Sequence, residues 1–522
     1  MERRKFISTT SQAAALMPLI PASSFFKRKS PVDTVLPEIS LDTPHEFHRS
    51  LFYKPVNAWA GDFIPLFAKG AFQLFYLQDW RNREEFGEGT PWFRVCTNDF
   101  VHFKECGEMI HRGTKAEQDL YIFTGSAIEA EGKFHIFYTG HNPYFAALGK
   151  PQQGIMHAVS DDLEHWKKTG EPPFFAPKGN YEPNDWRDPF VFWNDDDKEY
   201  NMLCAARFNK GIPSRRRGLT ALSTSKDLIH WQVKDPFYAP GLYITHECPD
   251  LFKMGDWWYL IFSEYTDLVR TRYRMSRSLK GPWIIPSVDD FDGHAFYAAK
   301  TASDGHNRFL FGWNPTRSNQ SDRGDWNWGG NLVVHELRQL ANGELTVCAP
   351  KTIASAIGTP NPLHFDIHTT TGQITAGGNG VQIKAPGTFG AALAGEMPQR
   401  CRIETTVTFD KGTRFIGLIF RASHDFENAY FVRLDIARQR MVFDKWPRSK
   451  SEIPFMVELE RPLKLQPDTP VKLQVLIDGT VGVVYCNDQV AMNFRMYDFR
   501  TGRWGVFAEQ GAAAFSQLQL CS

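Results

Sequence analysis

The sequence predicts an all-β protein, in which a five-bladed β-propeller is followed by a C-terminal β-sandwich. Two observations predict the propeller. Five short apolar runs rich in aromatic residues recur roughly 50 to 65 residues apart, and a polar turn that ends in His and an aromatic residue follows several of them. Strand repeats of this length, with no helical period between them, are typical of propeller blades. Alternating strand patterns after residue 365 predict the sandwich.

Composition narrows the function before any motif is considered. The 522 residues include 59 basic and 59 acidic side chains, so the chain lacks the charge bias that attracts nucleic acid or anionic lipid. Aromatic residues make up 14% of the chain and provide flat surfaces on which sugars stack. We therefore expect an oligo- or polysaccharide partner and no nucleic acid. The length predicts at least two domains.

The N-terminus predicts export. Arg3 and Arg4 precede Phe6 and a short, mildly apolar stretch, 13–21, which is typical of a bacterial twin-arginine signal over residues 1–30. A disordered basic tail is the alternative. No later stretch is long and apolar enough to predict a transmembrane helix. We expect a soluble protein in the periplasm or outside the cell.

Residues 45–350 hold the repeats. The apolar runs are predicted strands, and the polar turns, such as that from Asp162 to Trp166, are interpreted as structural, with Asp capping backbone amides and the aromatic ring packing between blades. The five runs are 70–76, 132–138, 198–204, 256–262 and 307–313.

Acidic residues stand ahead of each run, where the innermost strand of a blade reaches the central channel. We expect several of them to converge on one funnel, although an Asp in this position also commonly caps a loop. Asp119 and Asp250 are expected to be structural, because Leu and an apolar run follow each. Crowded carboxylates separate in pKa, which suits the acid pair of glycoside hydrolysis. The acids are Asp62, Asp119, Asp188, Asp250 and, less regularly, Asp292, with Glu247 just upstream of Asp250.

The Cys and His residues predict no metal site or cofactor. Eight Cys are scattered without a C-x-x-C pair, and the 16 His show no ligand spacing. Cys248, beside Glu247, is interpreted as a small packing residue.

Several motifs, taken together and in order, resemble those of glycoside hydrolase family 32, the invertase and fructanase group. Trp186-Arg187-Asp188-Pro189 resembles its Arg-Asp-Pro motif, Glu247-Cys248-Pro249-Asp250 its Glu-Cys motif, and Phe123-Thr124-Gly125-Ser126-Ala127 its Phe-Ser-Gly-Ser-Ala motif. Residues 153–160 and Trp328-Gly329-Gly330 are also similar to family text. The resemblance covers nearly all of the predicted mature chain.

The resemblance implies both a fold and a set of roles. It implies a five-bladed propeller with a C-terminal sandwich that hydrolyses fructofuranosides with retention. By motif, Asp62 becomes the nucleophile, Asp188 the transition-state stabiliser and Glu247 the general acid, with Arg187 holding a sugar hydroxyl beside Asp188. Further candidate substrate-binding residues are Trp59, Gln78, Phe123, Ser126 and Trp313.

The first-blade motif departs from the family pattern. Where the family has Trp-Met-Asn-Asp-Pro-Asn-Gly, this chain has Ala58-Trp59-Ala60-Gly61-Asp62-Phe63-Ile64. The acid is kept, but Gly61 replaces the Asn before it and the Pro-Asn-Gly is absent. These neighbours shape the sugar subsite in the family, so the departure affects the expected fructose specificity.

Beyond the propeller, residues 351–364 are interpreted as a linker and 365–522 as the sandwich. Gly479 and Thr480 predict a hairpin turn. We expect this domain to brace the propeller; an independent sugar-binding role is the alternative. Its predicted strands are 402–409, 414–421, 429–435, 471–477 and 481–486.

Three functional hypotheses follow. The first is a retaining glycosidase acting on furanosides, most simply β-fructofuranosides. The second is an inverting arabinofuranosidase or xylosidase similar to family 43, and the third is a non-catalytic glycan-binding propeller. Retaining and inverting enzymes differ in the separation of their carboxyl groups, about 5 to 5.5 Å against about 6.5 to 9.5 Å. The sequence predicts no oligomeric state.

Overall fold

The computed structural model describes residues 47–369, 372–448 and 456–522, and most of them lie in strands. The segment 1–30, predicted to be an export signal, lies outside these ranges. None of the helices described is long and apolar enough to cross a membrane. The helices among the described residues are two α-helices, Arg83–Phe86 and Lys351–Ser355, and three 3₁₀ helices, Pro143–Leu148, Ser214–Arg216 and Ser318–Gln320.

The first twenty strands confirm the predicted five-bladed propeller. Blade 1 consists of β1 (Phe47–Arg49), β2 (Trp59–Ala68), β3 (Ala71–Asp79), β4 (Trp92–Thr97) and β5 (His102–Ile110). Blade 2 consists of β6 (Tyr121–Ala130), β7 (Lys133–His141), β8 (Gln153–Ser160) and β9 (Lys167–Lys168). Blade 3 consists of β10 (Tyr181–Asn194), β11 (Glu199–Phe208), β12 (Gly218–Ser225) and β13 (Gln232–Val233).

The last two blades complete the ring. Blade 4 consists of β14 (Glu247–Met254), β15 (Trp257–Glu264) and β16 (Arg270–Ser276). Blade 5 consists of β17 (Tyr297–Ser303), β18 (Arg308–Arg317), β19 (Trp326–Gln339) and β20 (Leu345–Cys348). The inner strands contact one another in the closed order β2, β6, β10, β14, β17 and back to β2. A bridge between Gly330 and Ala60 joins blade 5 to blade 1.

The five apolar runs form the second strand of each blade, namely β3, β7, β11, β15 and β18. These strands are almost entirely buried; in β7, every residue after Lys133 is buried. Because neighbouring blades cover both faces of such a strand, its sequence is apolar without a break. This continuous burial is the physical origin of the repeat.

The polar turns have the predicted structural role. Asp162 accepts the backbone N–H of His165 (2.8 Å). The indole of Trp166, at the end of this turn, packs edge-on against Phe75 of blade 1, with ring centroids 5.6 Å apart. Trp231 of blade 3 makes an equivalent contact with Phe137 of blade 2 (5.6 Å). The turns therefore connect adjacent blades.

The remaining strands form the predicted sandwich. β23 and β32 run through both sheets: the first part of β32 pairs with β25, and its last part pairs with β24. The strands are β21 (Asp366–Thr369), β22 (Gln373–Gly377), β23 (Gly380–Glu396), β24 (Arg400–Phe409), β25 (Phe415–Ala422), β26 (Ala429–Asp435), β27 (Arg440–Trp446), β28 (Leu459–Pro462), β29 (Val471–Asp478), β30 (Val481–Cys486), β31 (Val490–Arg495) and β32 (Arg503–Cys521).

A buried polar network attaches the sandwich to the propeller. Asp292 accepts hydrogen bonds from the side chain (2.6 Å) and backbone N–H (2.8 Å) of Asn493. The ring of His335 lies between Asp292 (3.1 Å) and the hydroxyl of Tyr485 (2.9 Å). Arg461 donates to the carbonyl of Asp292 (2.9 Å). Buried groups of this kind are stable only when paired, so this network fixes how the two parts pack.

Candidate active site

The inner strands share one irregularity. In β2, β10, β14 and β17 the pairing with the second strand is interrupted by a β-bulge, as between Gly61 and Ile64 in blade 1. A bulge re-aims side chains and is common beside functional sites. One residue in each bulge has left-handed backbone geometry: Asp62 (φ 49°), Asp188 (φ 58°), Cys248 (φ 52°) and Ala298 (φ 52°). Equivalent positions of four blades thus carry the same distortion.

Asp62 is held by uncharged donors. Thr124 donates its hydroxyl hydrogen to Oδ2 (2.5 Å), and the indole Nε1 of Trp313 donates to Oδ1 (2.9 Å). Burial raises the pKa of Asp62 to about 6, the hydrogen bond from Thr124 opposes this shift, and the charge of Asp188 adds to it. The carboxylate is therefore oriented by two donors and ionised above weakly acidic pH.

Glu247 is a buried acid with a high pKa. The hydroxyl of Tyr297 donates to Oε2 (2.6 Å), and Arg187 donates from Nη2 to Oε1 (3.0 Å). Burial raises the pKa of Glu247 to about 7; Arg187 opposes the shift and Asp188 adds to it. A carboxyl group of this kind remains protonated close to neutral pH, which is what a general acid requires.

Asp188 is the acid whose charge affects the pKa of both of the others. Its Oδ2 accepts the backbone N–H of Cys248 (3.0 Å), and its own N–H is donated to the hydroxyl of Thr139 (2.8 Å). Burial raises its pKa, while Arg187 lowers it. Because the charge of Asp188 raises the pKa of both Asp62 and Glu247, the three carboxyl groups form one coupled cluster.

Arg187 is the cation of this cluster. It is buried and bonded to Glu247, to the carboxylate of Asp185 and to the hydroxyl of Thr245 (3.0 Å). Its Nε lies 3.7 Å from Oδ2 of Asp188. The structure therefore brings Arg187 and Trp313 to the three acids.

Four other candidate residues do not contact these acids among the interactions described. Phe123 stacks on His141, with ring centroids 4.5 Å apart. The ring of Trp59 lies under the guanidinium of Arg81, whose Cζ is 4.2 Å from the ring centroid. Gln78 is buried and its side-chain oxygen accepts a hydrogen bond from the hydroxyl of Tyr76 (3.3 Å). The hydroxyl of Ser126 accepts one from the backbone N–H of Val191 (3.0 Å).

Three of the acids that precede the apolar runs lie outside this cluster. Asp119 is engaged by Tyr138 (2.9 Å) and Lys168 (2.5 Å), and Asp250 accepts the backbone N–H of Thr301. These contacts fit the structural role expected for Asp119 and Asp250. Asp292 lies at the sandwich interface instead of the funnel. The bulges make Cys248 and Ala298 the equivalents of Asp62 and Asp188, so in blades 4 and 5 the acids counted back from the apolar runs, Asp250 and Asp292, are not the equivalent residues.

Sequence reasoning missed two of the residues that hold the acids, Thr124 and Tyr297. Thr124 lies inside the motif Phe123-Thr124-Gly125, where the flanking residues were chosen instead. Tyr297 carried no signal, because only the bulge in β17 directs it to Glu247. The described residues include no group of His, Cys, Asp and Glu that could hold a metal ion.

A closed propeller with three coupled carboxyl groups at its inner strands has the features of a glycoside hydrolase. The model of the family "Glycosyl hydrolases family 32 N-terminal domain" matches residues 53–345, more than half of the chain. The chain therefore belongs to glycosyl hydrolase family 32.

Individual relatives are distant. The chain is 26% identical over 316 residues to a beta-fructofuranosidase, insoluble isoenzyme, of Arabidopsis thaliana, covering 54% of this chain and 53% of the relative. It is 26% identical over 270 residues to a levanbiose-producing levanase of Bacillus subtilis, covering 49% and 46%. The chain thus spans about half the length of these relatives. The crystal structure of fructan 1-exohydrolase IIa from Cichorium intybus matches its fold with a TM-score of 0.66 at 17% identity, covering 92% of this chain and 98% of that one.

Proposed function

We propose that this protein hydrolyses β-fructofuranosides with retention of configuration. The observation that carries the proposal is the coupled cluster, in which Glu247 has a pKa of about 7 and Asp62 a pKa of about 6. Glycoside hydrolysis requires one protonated and one ionised carboxyl group at the same sugar, and their different surroundings supply both. The fructofuranosidase and levanase relatives support the substrate class.

The roles follow from the contacts of each acid. Asp62, oriented by Thr124 and Trp313, attacks the anomeric carbon and forms a fructosyl-enzyme intermediate, while Glu247 protonates the leaving oxygen. Glu247 is then a carboxylate and takes a proton from the water that releases the sugar. The fixed negative charge of Asp188 stabilises the oxocarbenium-like transition state. Arg187 positions Glu247 and lies beside the subsite in which Asp188 acts.

Hydrolysis assays on a set of furanosides test this proposal. The purified protein is incubated with sucrose, inulin, levan and aryl arabinofuranosides, and release of fructose or arabinose is measured. We expect fructose release that is lost in Glu247→Gln. Hydrolysis of the arabinosides alone would overturn the fructoside assignment, and hydrolysis of none of them would favour a glycan-binding propeller.

The stereochemical outcome is a separate measurement. Proton NMR during the first minutes of the reaction identifies the anomer that is released first. We expect the β-anomer of the released fructose, because a covalent intermediate on Asp62 inverts the centre twice. Release of the α-anomer would instead indicate direct attack by water and an inverting enzyme.

We also propose that the protein is exported and that the sandwich braces the propeller. The motif Arg3-Arg4 supports export, and the buried network of Asp292, His335 and Asn493 supports the bracing role. Arg3→Lys/Arg4→Lys should keep the protein in the cytoplasm of an expressing bacterium, as fractionation would show. The predicted limits of the linker and sandwich remain predictions.

A further inference from the structure

The departure in the first-blade motif has a structural counterpart in blade 5. A side chain at position 61 would collide with the indole of Trp328, whose Cε2 lies 2.8 Å from the place of an added Cβ. Trp328 thus occupies the space beside Asp62 that would otherwise hold a side chain at position 61. The resemblance to family 32 places an Asn at position 61, and it also includes Trp328-Gly329-Gly330. This chain therefore differs in lacking the amide at position 61, where the ring of Trp328 fills the space.

A distortion in β19 brings Trp328 to this place. The pairing of β18 with β19 is interrupted between Pro315 and Thr316, and Trp328 and Gly329 lie in the interruption on the β19 side. Gly329 has left-handed geometry (φ 75°), and a side chain on Gly330 would collide with the carbonyl of Asn314. Two glycines are therefore required for β19 to approach β18 and β2 while Trp328 turns towards Gly61.

Further contacts fix the indole in place. Arg81 donates to the carbonyl of Trp328 (2.5 Å) and to the hydroxyl of Thr316 (2.9 Å), and its guanidinium stacks on Trp59. The ring of Trp328 packs against Trp313, with centroids 6.0 Å apart, and Trp313 donates to Asp62. The indole of Trp328 also lowers the pKa of Asp62. The half-buried ring is thus held beside Gly61 and against the indole that donates to the acid.

We propose that Trp328 is a positioning residue for Asp62, and that it replaces, from blade 5, the side chain that Gly61 lacks. This inference rests on the proposed role of Asp62 as nucleophile. The indole restricts the carboxylate to the orientation in which Thr124 and Trp313 bond it, and its N–H favours the ionised form. The ring of Trp328 also lines the sugar subsite where the family motif would supply an amide. Because the ring fits only when position 61 has no side chain, Gly61 and Trp328 act as one unit.

Single and double variants test whether Gly61 and Trp328 act as one unit. The variants are Trp328→Phe, Gly61→Ala and their combination, and kcat and KM are measured against pH on the fructoside that is hydrolysed fastest. For Trp328→Phe we expect kcat to fall about tenfold with a smaller change in KM, and the acid limb of kcat/KM to move to higher pH. Gly61→Ala should act in the same direction, because its methyl group displaces the ring. The double variant should be no worse than the poorer single variant.

A neighbouring tryptophan provides a matched control. Trp326 lies on the same strand, its ring packs under Arg317 (3.7 Å), and its indole nitrogen has no hydrogen-bond partner. Trp326→Phe should therefore leave the acid limb unchanged. An unmoved acid limb in Trp328→Phe, or losses that multiply in the double variant, would show that Trp328 only fills space.

An exchange variant tests the replacement directly. In Trp328→Ala the space beside Gly61 is empty, so adding Gly61→Asn should restore part of the lost kcat. No recovery, or a further loss, contradicts the replacement.

A stability cycle separates this inference from the proposed function. Trp328→Phe and Asp62→Asn are combined, and the midpoint of thermal unfolding is measured for all four proteins. Residues in contact give non-additive shifts, whereas independent residues give additive ones. Additive shifts would overturn the contact. If the protein hydrolyses no furanoside, the proposed function fails while this cycle still tests the role of Trp328.

Discussion

Blades 1 and 4 share the same bulge but place their acids differently within it. In blade 1 the acid, Asp62, is itself the left-handed residue, whereas in blade 4 Glu247 precedes the left-handed Cys248. A shift of one residue in a strand changes the direction of the side chain. The two acids therefore enter the funnel from equivalent strands with different surroundings.

These surroundings separate the chemistry of the two acids. Asp62 is bonded to uncharged donors, including Thr124, whereas Glu247 is bonded to the cation Arg187 and the phenol of Tyr297. Burial raises the pKa of both, to about 6 for Asp62 and about 7 for Glu247. Between these values one acid is mostly ionised and the other mostly protonated. The same β-bulge, with the acid at the left-handed residue in blade 1 and one residue before it in blade 4, thus provides a nucleophile and a proton donor.

The largest expected effect is that of removing the nucleophile. Asp62→Asn keeps the size of the side chain but cannot form the fructosyl-enzyme intermediate, so we expect kcat to fall by about 10⁴-fold or more. Measured on sucrose and on an aryl fructoside, the loss should be similar, because attack is blocked whatever the leaving group. A loss in kcat below tenfold on both substrates would show that Asp62 is not the nucleophile.

Glu247→Gln should have a smaller effect that depends on the leaving group. Loss of a general acid typically costs about 10² to 10⁴-fold. We expect that range in kcat/KM on sucrose and a much smaller loss in kcat/KM on an aryl fructoside, whose acidic leaving group departs without a proton in the first step. The comparison with Asp62→Asn is the control, and equal losses on the two substrates would argue against Glu247 as the acid.

A matched pair of hydroxyl donors should move opposite limbs of the pH profile. Thr124 lowers the pKa of Asp62, and Tyr297 lowers that of Glu247. Activity needs Asp62 ionised and Glu247 protonated, so kcat/KM should fall below about 6 and above about 7. Thr124→Val should move the acid limb to higher pH, and Tyr297→Phe the alkaline limb to higher pH, each by about one unit or less. If Thr124→Val moves the alkaline limb and Tyr297→Phe the acid limb, the assignment of the two acids is reversed.

The sequence was sufficient to predict the blades, because their second strands repeat with the fold, whereas the three acids were predicted from the family motifs. The second strands are buried on both faces, so their apolar runs report the period directly. It was not sufficient to predict which side chains reach the acids. Thr124 and Tyr297 are directed by bulges, and a bulge has no sequence signal of its own here. For the same reason Asp292, counted back from its apolar run, precedes blade 5 in sequence but lies at the sandwich interface.

The sandwich shows the same limit. The strands that were predicted, such as β26 and β30, are rich in branched or aromatic residues. β23 and β32, which run through both sheets, are rich in Gly and Ala and were not predicted. Residues of low strand propensity form these strands because neighbouring strands pair with them on both sides. Tertiary pairing outweighs the local preference there.

The smallest expected effect is a change in the pH dependence of the free energy of unfolding, and it comes from the raised pKa of Glu247. Its folded pKa is about 7 against an ordinary value of 4.5, so the folded protein binds the extra proton between these pH values. Stability of the wild type therefore falls as pH rises from 4.5 to 7, while Glu247→Gln has no such term. The variant should gain on the wild type by up to about 3 kcal/mol between pH 4 and pH 8. Calorimetry at both pH values measures this, with Glu264→Gln, whose carboxylate is paired with Arg272, as a control that should lose stability instead. A Glu247→Gln variant that unfolds earlier than the wild type at pH 8 would mean that the contacts of Arg187 and Tyr297 outweigh the burial of the charge.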